Sequence, residues 1–542
     1  MVSQFLLVTY WIVPLGFLAG LSFEPVRRRI LSLLWLAPLP GLAAAAVSAP
    51  DVGFLLMQDS LSFTLHLDRS SALLLAAASL LWSLAGLYAA GYMRKDPHPA
   101  RFCGWWLLTM SGSLGVFSAG DIGSFYLAFA VVSLAAWGMV NHEDTAKARR
   151  ASSIYIALAV LGEICLFMAF ALLAVYSPSQ SLAIEPLLES FPTNPARHYV
   201  VALMIAGFGL KMGLVPLHVW LPIAHPAAPM PASAVLSGAI IKAGVIGLLK
   251  FLPADGAVAD WGVFLVVLGL LTALYAALMG LFQKNPKTIL AYSSVSQMGG
   301  VAAVLGGGLF GSSVWVVHPA VLLACNHVLA KGALFMAVGI AASTRGGRFW
   351  LIMAPATVLA LSLAGLPLTL GAAAKLGAKE LLDVQPAKLI YSLTAIGTTV
   401  IMLHFVTQLQ RLSPKAAAKS AHPLMLLAWL ALAGLAVMMP WVVSPESIVP
   451  GVSILQTTPY LWTLGWPILV GIVLFLLLRR HAETLPIFPE GDILVYGEKA
   501  GHGVASIGRY AEWVEQYLST KLGLIIVLIA LLAALMTLML AG

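Results

Sequence analysis

The sequence predicts an all-α polytopic membrane protein, and three observations lead to this prediction. Of its 542 residues, 60% are hydrophobic and only 10% are charged, with a mean hydropathy of +0.94. That is more apolar surface than a soluble core can bury. Apolar stretches of about 20 residues, enough to cross a bilayer, recur along the chain and number about sixteen. Lysine and arginine are concentrated in alternate loops, which is typical of a multi-pass protein.

The alternating loops also predict the orientation. Odd-numbered loops are rich in basic residues, such as Arg27, Arg28 and Arg29 in the first, whereas the even loop at 50–69 has only Arg69. By the positive-inside rule the odd loops are cytoplasmic, and both termini lie on the outer, periplasmic side of a bacterial inner membrane. The first segment has no basic n-region, so no cleavable signal peptide is expected. Because the net charge of +8 is spread over many loops, it does not indicate nucleic-acid binding.

Four regions follow one another along the chain. Residues 1–100 contain the N-terminal transmembrane helices and an outer-face loop, where alternating polar and apolar residues after Asp59 predict a hairpin. Residues 101–252 and 253–410 are expected to form two inverted-repeat halves, with broken helices near 211–222 and 365–375. Residues 411–542 hold the C-terminal helices. Within them, 500–519 has the pattern of an amphipathic helix lying laterally on the cytoplasmic surface, against lipid or a partner, before the last span. A solvated linker is the alternative.

Prolines inside two apolar stretches predict the broken helices. Pro216 follows Lys211 by five residues, and Pro367 precedes Lys375 by eight. A proline interrupts the helical hydrogen bonds, and membrane proteins tolerate this mainly where the freed backbone is buried in protein or lines a hydrated cavity. Paired interruptions in two halves are typical of inverted-repeat ion transporters. The five prolines between 216 and 231 further predict a stiff, extended path rather than a regular helix.

Ionisable side chains inside the apolar stretches are the candidate functional residues. A charge at mid-bilayer costs about 2.5 kcal/mol or more, so such groups normally face a hydrated interior or a partner. Lysine and histidine can exchange protons when their surroundings bring their pKa near neutrality. A line of them across the membrane therefore predicts a proton pathway. The predicted pathway residues are Glu163, Lys211, His218, His225, Lys242, His327, Lys331 and Lys375.

Other buried charges have simpler interpretations. Lys250 and Lys379 are near predicted helix ends and are expected to extend to an interface. We expect His404 to be a packing residue and Lys287 to cap a cytoplasmic loop.

No cofactor or metal site is predicted. Cys103, Cys165 and Cys325 are far apart and form no CxxC or Cys/His cluster, so neither zinc nor an iron-sulfur cluster is indicated. The glycine-rich stretches lack the strand-turn-helix context that binds phosphate. The sequence therefore predicts no catalytic residue and no redox or hydrolytic site of its own. An enzymatic role would come through an ion-translocating complex.

Four stretches carry a family resemblance, namely "GLKMGLVPLHVWLPIAHPAAPMPASAVLSGAIIKAG", "KTILAYSSVSQMGG", "NHVLAKGALFMAVG" and "LAGLPLTLGAAAK". They resemble the antiporter-like, proton-conducting membrane subunits of respiratory complex I, the Mrp antiporters and the membrane-bound hydrogenases. The resemblance covers roughly residues 50 to 410 and is greatest to the L-type subunit of complex I. It implies that Lys211 and Lys375 are the broken-helix lysines, that Lys242 is the central lysine, and that His327 and Lys331 form the pair on the eleventh helix. It also assigns Glu163 to an acid of the sixth helix, and His218 and His225 to the loop histidines.

Two positions depart from the family pattern. Ala130 stands where the family usually has the fifth-helix glutamate that pairs with the lysine of the seventh helix. Leu376 stands where the L-type subunit has an acid. The resemblance implies either that Glu163 supplies the counter-charge to Lys211 or that protons enter by another path.

The leading functional hypothesis is a proton-translocating membrane subunit of a multi-subunit complex. The alternatives are the membrane subunit of a DAB-type inorganic-carbon accumulation complex, an Mrp-type Na+/H+ antiporter subunit, and a non-conducting membrane anchor. The resemblance implies other membrane subunits as partners. In the DAB-type case the partner would be one large soluble zinc protein.

Overall fold

The computed structural model describes residues 2–47, 52–57, 63–177, 181–253, 256–311, 317–344, 349–382, 386–412, 421–442, 458–480, 488–491, 493–495 and 533. Within these ranges, eleven helices are long and apolar enough to cross a membrane. Three shorter apolar helices, Gln4–Gly20, Trp350–Ala364 and Pro423–Met439, accompany them. The predicted all-α polytopic membrane fold is confirmed. The number sixteen stays a prediction, because the amphipathic segment 500–519 and the last expected span lie outside the described residues, apart from Ala533.

Twenty α-helices are described. In the first part of the chain they are α1 Val2–Gly20, α2 Glu24–Leu33, α3 Leu39–Val47, α4 Arg69–Tyr92, α5 Pro99–Ser118, α6 Ile122–Val140, α7 Ala146–Val175, α8 Ile184–Glu189, α9 Arg197–Met212 and α10 Trp220–Ala227. In the second part they are α11 Met230–Val235, α12 Lys242–Phe251, α13 Ala259–Leu281, α14 Pro286–Gly311, α15 Val317–Ala341, α16 Trp350–Ala364, α17 Leu370–Leu381, α18 Ala387–Arg411, α19 Pro423–Val442 and α20 Thr458–Arg479.

Burial separates central helices from peripheral ones. The span His318–Ala341, which is most of α15, is buried over almost all of its length. In contrast, α7 exposes Leu161, Ile164 and Met168, and α13 exposes further large apolar side chains. Such exposed apolar faces suit contact with lipid tails rather than water. The residues on α15 are therefore placed in the middle of the protein.

Close glycine packing sets the position of α14 against α13. A Cβ added at Gly269 would lie 2.5 Å from the backbone nitrogen of Ala303, and one at Gly299 would lie 2.5 Å from the carbonyl oxygen of Gly269. Small residues of this kind allow the backbones of two membrane helices to approach closely. The fixed position of α14 matters because this helix contributes side chains and a carbonyl to the candidate site.

The predicted hairpin is present. Strand β1, Val52–Met57, pairs antiparallel with β2, Phe63–Leu67, and a bulge interrupts the register between Leu55 and Met57. Asp121 connects the hairpin to the helical body. Its carboxylate accepts from the backbone N–H and the hydroxyl of Thr64, and it caps α6 by accepting from the N–H of Ser124 at 2.7 Å. The N-cap of α6 therefore also fixes the hairpin.

Both predicted helix breaks are present, and the helix before each break ends in the same C-terminal motif. Helix α9 is followed by Gly213 at φ +80°, and the N–H of Leu214 donates to the carbonyl of Gly209 at 2.8 Å. Helix α16 is followed by Gly365 at φ +100°, and the next N–H, that of Leu366, donates to the carbonyl of Leu361 at 3.0 Å. This is the Schellman arrangement, in which a left-handed glycine ends a helix and satisfies its free carbonyls. The second half-helices, α10 and α17, follow each break.

The expectation of an extended path between 216 and 231 was wrong. Residues 220–227 form α10 and residues 230–235 form α11. Pro222 is the third residue of α10 and Pro231 the second of α11, where the backbone nitrogen needs no intrahelical partner. Pro222 and Pro231 therefore lie in the first turns of short helices, and Pro226 lies in the last turn of α10.

A π-turn separates α11 from α12. Residues Leu236–Ile240 adopt this wider turn, and α12 begins at Lys242 directly after it. π-turns inside α-helices are frequent at functional sites because they hold one residue more than an α-turn. The sequence analysis did not predict this feature.

Candidate functional site

All the predicted pathway residues are buried. Glu163, His218, His225, Lys242, His327 and Lys331 are 0% exposed, Lys211 is 3% exposed and Lys375 is 4% exposed. Burying an ionisable group costs free energy unless a partner or water compensates it, so buried ionisable groups in membrane spans are candidates for a functional role. The structure places seven of them in three groups, one at each helix break and one that joins α12 to α15, and His218 lies apart from these groups.

The first group surrounds Lys211 in the last turn of α9, just before the break. Its ammonium donates to the hydroxyl of Ser133 at 2.9 Å and to the Tyr155 oxygen at 3.4 Å. The Tyr155 hydroxyl donates to the carbonyl of Ser133 at 2.8 Å. The ammonium also lies 5.5 Å from the centre of the Phe129 ring, a distance that suits a cation–π contact. Neutral groups therefore hold this lysine.

Glu163 supplies the carboxylate of this group. It lies on α7, and its charge interacts with that of Lys211. Ser133 is close enough to interact with this carboxylate, but neither of its oxygens has a hydrogen-bond partner by distance and angle among the described residues. Buried polar atoms of this kind are commonly satisfied by ordered water. Ala130 is buried on α6, one turn before Ser133.

The second group joins α12 to α15. The Lys242 ammonium lies 2.9 Å from Nδ1 of His327 and 3.8 Å from the sulfur of Met298. Lys331, one turn after His327, donates to the carbonyl of Leu290 on α14 at 2.8 Å. The two side chains share one face of α15, as their spacing predicts. Two lysines and a histidine are thus placed together with no carboxylate in hydrogen-bonding contact in the described part of the chain.

His225 extends this group toward the loop between α10 and α11. Its ring stacks on Phe335, with centroids 4.7 Å apart, and its charge interacts with those of Lys287 and Lys331. Neither ring nitrogen has a hydrogen-bond partner among the residues that the structure describes. His218 lies elsewhere, with its ring 5.4 Å from that of Tyr275.

Lys287, in the first turn of α14, is the last residue of this series. The sequence analysis did not include it in the pathway. It is 7% exposed and donates to the carbonyl of Ala228. Its charge also interacts with those of Glu143 and Glu490. From the sequence, a lysine in the first turn of a helix is expected to cap a loop. Only the structure shows that Lys287 is buried and that its charge interacts with that of His225.

Glu490 lies at the surface beside Lys287. Its carboxylate accepts from the Thr288 hydroxyl at 2.9 Å and from the Asn285 side chain at 3.2 Å, and it pairs with Lys147 at 2.8 Å. The glutamate side chain is 29% exposed. It therefore connects solvent with the buried end of the series. Nothing in the sequence around Glu490 indicates that it folds back onto α14.

The third group contains Lys375 in the middle of α17. Its ammonium lies 5.9 Å from the centre of the Tyr391 ring, and its charge interacts with that of Lys379. Its side chain lies across the second helix break, because a Cβ added at Gly365 would be 3.0 Å from its Cδ. Position 376, next to Lys375, is a leucine and not an acid. The ammonium of Lys375 therefore has an aromatic ring, that of Tyr391, as a described neighbour.

The two lysines expected to extend to an interface do not do so. Lys250 is 9% exposed at its side chain, donates to the carbonyl of Ala119 at 3.0 Å and lies 3.8 Å from Asp68. Burial alone would raise the pKa of Asp68, but Lys250 and the hydrogen bonds from Ser71 and Ser70 hold it below its usual value. Lys379 is 4% exposed and donates to the carbonyl of Thr463 at 2.8 Å. Both therefore find partners inside the protein.

A metal centre has no basis in the part of the chain that the structure describes. There, no group of three or more histidine, cysteine, aspartate or glutamate side chains could hold an ion. The three cysteines are free. The chemistry that this arrangement permits is the movement of protons between nitrogen and oxygen atoms.

Two family models match the chain. The larger, described as NADH:quinone oxidoreductase/Mrp antiporter, TM, matches residues 119–403, which is more than half of the 542 residues. The chain belongs to this family. A second model, described as NADH-Ubiquinone oxidoreductase (complex I), chain 5 N-terminus, matches residues 55–103. The predicted family is therefore confirmed, and all the predicted pathway residues lie within the larger match.

Curated relatives within the NADH:quinone oxidoreductase/Mrp antiporter family differ in the complexes that their names describe. Hydrogenase-4 component B of Escherichia coli (strain K12) is 31% identical over 289 residues, which are 51% of this chain and 43% of that protein. Na(+)/H(+) antiporter subunit A1 of Staphylococcus aureus (strain JH9) is 30% identical over 306 residues, which are 53% of this chain and 37% of that protein. The chain spans about half or less of the length of the curated relatives it matches.

Solved structures share the fold. The Mrp complex from Dietzia sp. DQ12-45-1b contains a chain that matches 99% of this one with a TM-score of 0.75 and 20% identity, over 63% of its own length. The archaeal membrane-bound sulfane sulfur reductase complex contains a chain that matches 88% of this one with a TM-score of 0.70 and 20% identity, over 99% of its own length. The protein is thus a multi-pass, antiporter-like membrane subunit by family and by fold.

Proposed function

We propose that this chain is a proton-translocating membrane subunit of a multi-subunit complex. The observation that carries the proposal is the contact between Lys242 and His327, whose nitrogens lie 2.9 Å apart although both side chains are 0% exposed. A hydrogen bond between two basic nitrogens holds one shared proton, and moving it along the bond exchanges a lysinium for an imidazolium.

The neighbours of this pair extend the route. Nε2 of His327 and both nitrogens of His225 are buried without protein partners among the described residues. Polar atoms in such positions favour bridging water, and a chain of water and imidazole can pass a proton onward. Lys331 and Lys287 raise the electrostatic cost of a second positive charge in the group. Uptake at one end therefore favours release at the other.

The first half has its own acid–base pair in this proposal. Glu163 takes the role of the missing fifth-helix carboxylate, because its charge interacts with that of Lys211. Ser133 and Tyr155 hold the ammonium in place when the carboxylate is protonated. When Lys211 then loses its proton, its amine still has hydrogen bonds with Ser133 and Tyr155. Glu163 is neutral at that stage, so no carboxylate charge is left without a partner.

The cytoplasmic end of the proposed proton route is assigned from the solvent exposure of a carboxylate. Glu490 is a partly exposed carboxylate whose charge interacts with that of Lys287, and it belongs to an odd-numbered loop that the positive-inside rule places in the cytoplasm. We propose that protons exchange with the cytoplasm here. The bacterial inner membrane and the periplasmic termini belong to the same proposal.

Membership in a larger assembly is supported by the relatives. The two solved neighbours belong to complexes, and the curated relatives are named as a hydrogenase component and an antiporter subunit. We propose other membrane subunits as partners. The DAB-type assembly with one soluble zinc protein stays a prediction of the sequence analysis.

Proton flux in proteoliposomes tests the proposed function. The tagged chain, with whatever co-purifies, would be reconstituted and an acid-side pH jump followed with an internal pH dye. We expect Lys242→Met and His327→Gln each to lower the flux about 100-fold, the weight of a positioned proton-transfer group. Lys95→Met makes the same chemical change at an exposed residue and should leave the flux unchanged.

A double-mutant cycle strengthens this test. Because the two groups share one proton, the double variant should lose about as much as either single one. Wild-type flux in correctly folded Lys242→Met and His327→Gln would contradict the proposal. Absence of flux in the wild-type complex under every gradient would favour the non-conducting anchor.

A further inference from the structure

A cavity of about 630 Å³ opens at one end of the helix bundle, apart from the buried pathway residues. Its walls come from α2, α4, α5 and the start of α19. One part is apolar and includes Ile30, Leu31 and Leu424. The other part is basic, formed by Arg27, Arg28, Arg94 and His422.

The basic part carries an excess of positive charge. Arg28 pairs with Glu24 in the first turn of α2. Arg27 and Arg94 have no carboxylate partner in the part of the chain that the structure describes. Asp96, which is close in sequence to Arg94, is engaged with Nε2 of His142 and with a backbone N–H. Two arginines of the cavity are thus left to bind an anion.

The contact between Arg94 and His422 marks the place where an anion would bind. Nδ1 of His422 lies 3.3 Å from the backbone nitrogen of Leu424 in the first turn of α19. Nε2 of the same ring faces Nη1 of Arg94 at 3.4 Å. The guanidinium and the imidazole are therefore held side by side at the rim of the cavity, where both can reach an anion.

The cavity lies where the spans end. Arg27 and Arg28 come just before the span Ile30–Val47, and Arg94 is near the end of the span Arg69–Lys95. His422 directly precedes α19. All of these positions belong to the level at which hydrocarbon meets headgroups. A basic pocket between membrane helices at this level matches an anionic headgroup, and the apolar wall below matches acyl chains.

We propose that this cavity binds an anionic phospholipid, with its phosphate beside Arg94 and His422 and the acyl chains along Ile30 and Leu31. Arg27 contributes charge at the rim. Phosphate is the favoured headgroup chemistry, because guanidinium groups bind its oxygens with charge-assisted hydrogen bonds. The site is separate from the proposed proton route, so neither proposal depends on the other.

Native mass spectrometry of the purified protein in mild detergent tests the site. The protein would be titrated with phosphatidylglycerol or cardiolipin, and with phosphatidylcholine of the same acyl chains as the uncharged match. We expect tighter binding of the anionic lipids. Each arginine near a charged headgroup contributes about fivefold, so Arg27→Gln with Arg94→Gln should weaken binding about 25-fold.

Arg149→Gln is the matched control. Arg149 is also exposed at the end of a span, but it pairs with Asp144 at 3.1 Å and lies outside the cavity, so its loss should change lipid binding little. Equal binding of phosphatidylcholine and phosphatidylglycerol by the wild type would overturn the proposal, and this comparison needs no variant. Displacement of the lipid by micromolar inorganic phosphate would overturn it in favour of a soluble-anion site. An acidic protein that is lost from the double variant, while lipid binding stays unchanged, would overturn it in favour of a protein partner.

Discussion

Lys211 is held by Ser133, whose hydroxyl lies 2.9 Å from its ammonium, and not by a residue at position 130 one turn earlier on the same helix. Since residues three apart share a helix face, a longer side chain at 130 would also point toward this lysine. The chain therefore keeps the lysine of the first half but surrounds it with neutral donors and acceptors. We propose that Glu163, on another helix, α7, balances its charge, because the charges of the two residues interact.

This arrangement predicts that a carboxylate can be moved between helices. Glu163→Gln should lower proton flux about 100-fold, because the acid of the first half is lost. Adding Ala130→Glu to that variant should restore flux to within several-fold of wild type, since the new carboxylate reaches the same ammonium. Flux would be measured in proteoliposomes. Ala130→Gln in the same background matches the size without the charge, and recovery with it would contradict the prediction.

Glu490 and Lys147 offer a second matched pair. Glu490→Gln should slow proton uptake from the cytoplasmic side several-fold, because it removes a partly exposed carboxylate whose charge interacts with that of Lys287. Lys147→Gln breaks the same ion pair but leaves the carboxylate with its bonds from Thr288 and Asn285. It should have little effect, as expected for a partly exposed ion pair. Uptake rates after acid jumps on either side of the vesicle would be compared, and equal slowing by both variants would refute the assigned role.

The second helix break predicts a stability effect. Gly365→Ala should destabilise the protein by about 1–2 kcal/mol, because Gly365 has φ +100° and an added Cβ would lie 3.0 Å from Cδ of Lys375. Its thermal unfolding midpoint in detergent should fall. Gly434→Ala is the control, since a Cβ there meets nothing within 4 Å on an α-helix. It should leave the midpoint unchanged or raise it, and an equal fall in both variants would count against the strain argument.

The loop between α6 and α7 predicts a dependence on pH. Burial lowers the pKa of His142 below its usual value, although the bond to Asp96 at 3.1 Å opposes this shift. The unfolded chain therefore binds a proton more readily than the folded one. The stability that neutral His142 contributes is present above its ordinary pKa and is lost as the pH falls toward the lowered value. Thermal unfolding between pH 7 and 5 should show a smaller pH dependence in His142→Gln than in wild type, and identical slopes would rule the effect out.

The burial of the pathway residues could be predicted from the sequence because a charge inside an apolar span is tolerated mainly where protein or water surrounds it. The breaks could be predicted as well, since Pro216 and Pro367 mark them. Ser133 and Tyr155 could not, because a serine or tyrosine in a membrane helix is common and only the fold brings them to Lys211. The position of Ser133 could still have suggested its role, because it lies one helical turn from Ala130, where the family usually has the glutamate that pairs with this lysine. Glu490 approaches α14 from more than 200 residues away in the chain, and no local pattern records such a contact.

The π-turn at 236–240 has a consequence for anyone who aligns or redesigns this helix. Successive residues of an α-helix are about 100° apart around its axis, so an inserted residue normally turns everything after it to a new side. A π-turn absorbs one extra residue and leaves both flanks facing their original neighbours. A helical wheel drawn straight through 230–251 therefore misplaces Lys242 relative to α11. Removing one residue from the turn, rather than substituting any, is the edit that should leave the lysine still facing His327.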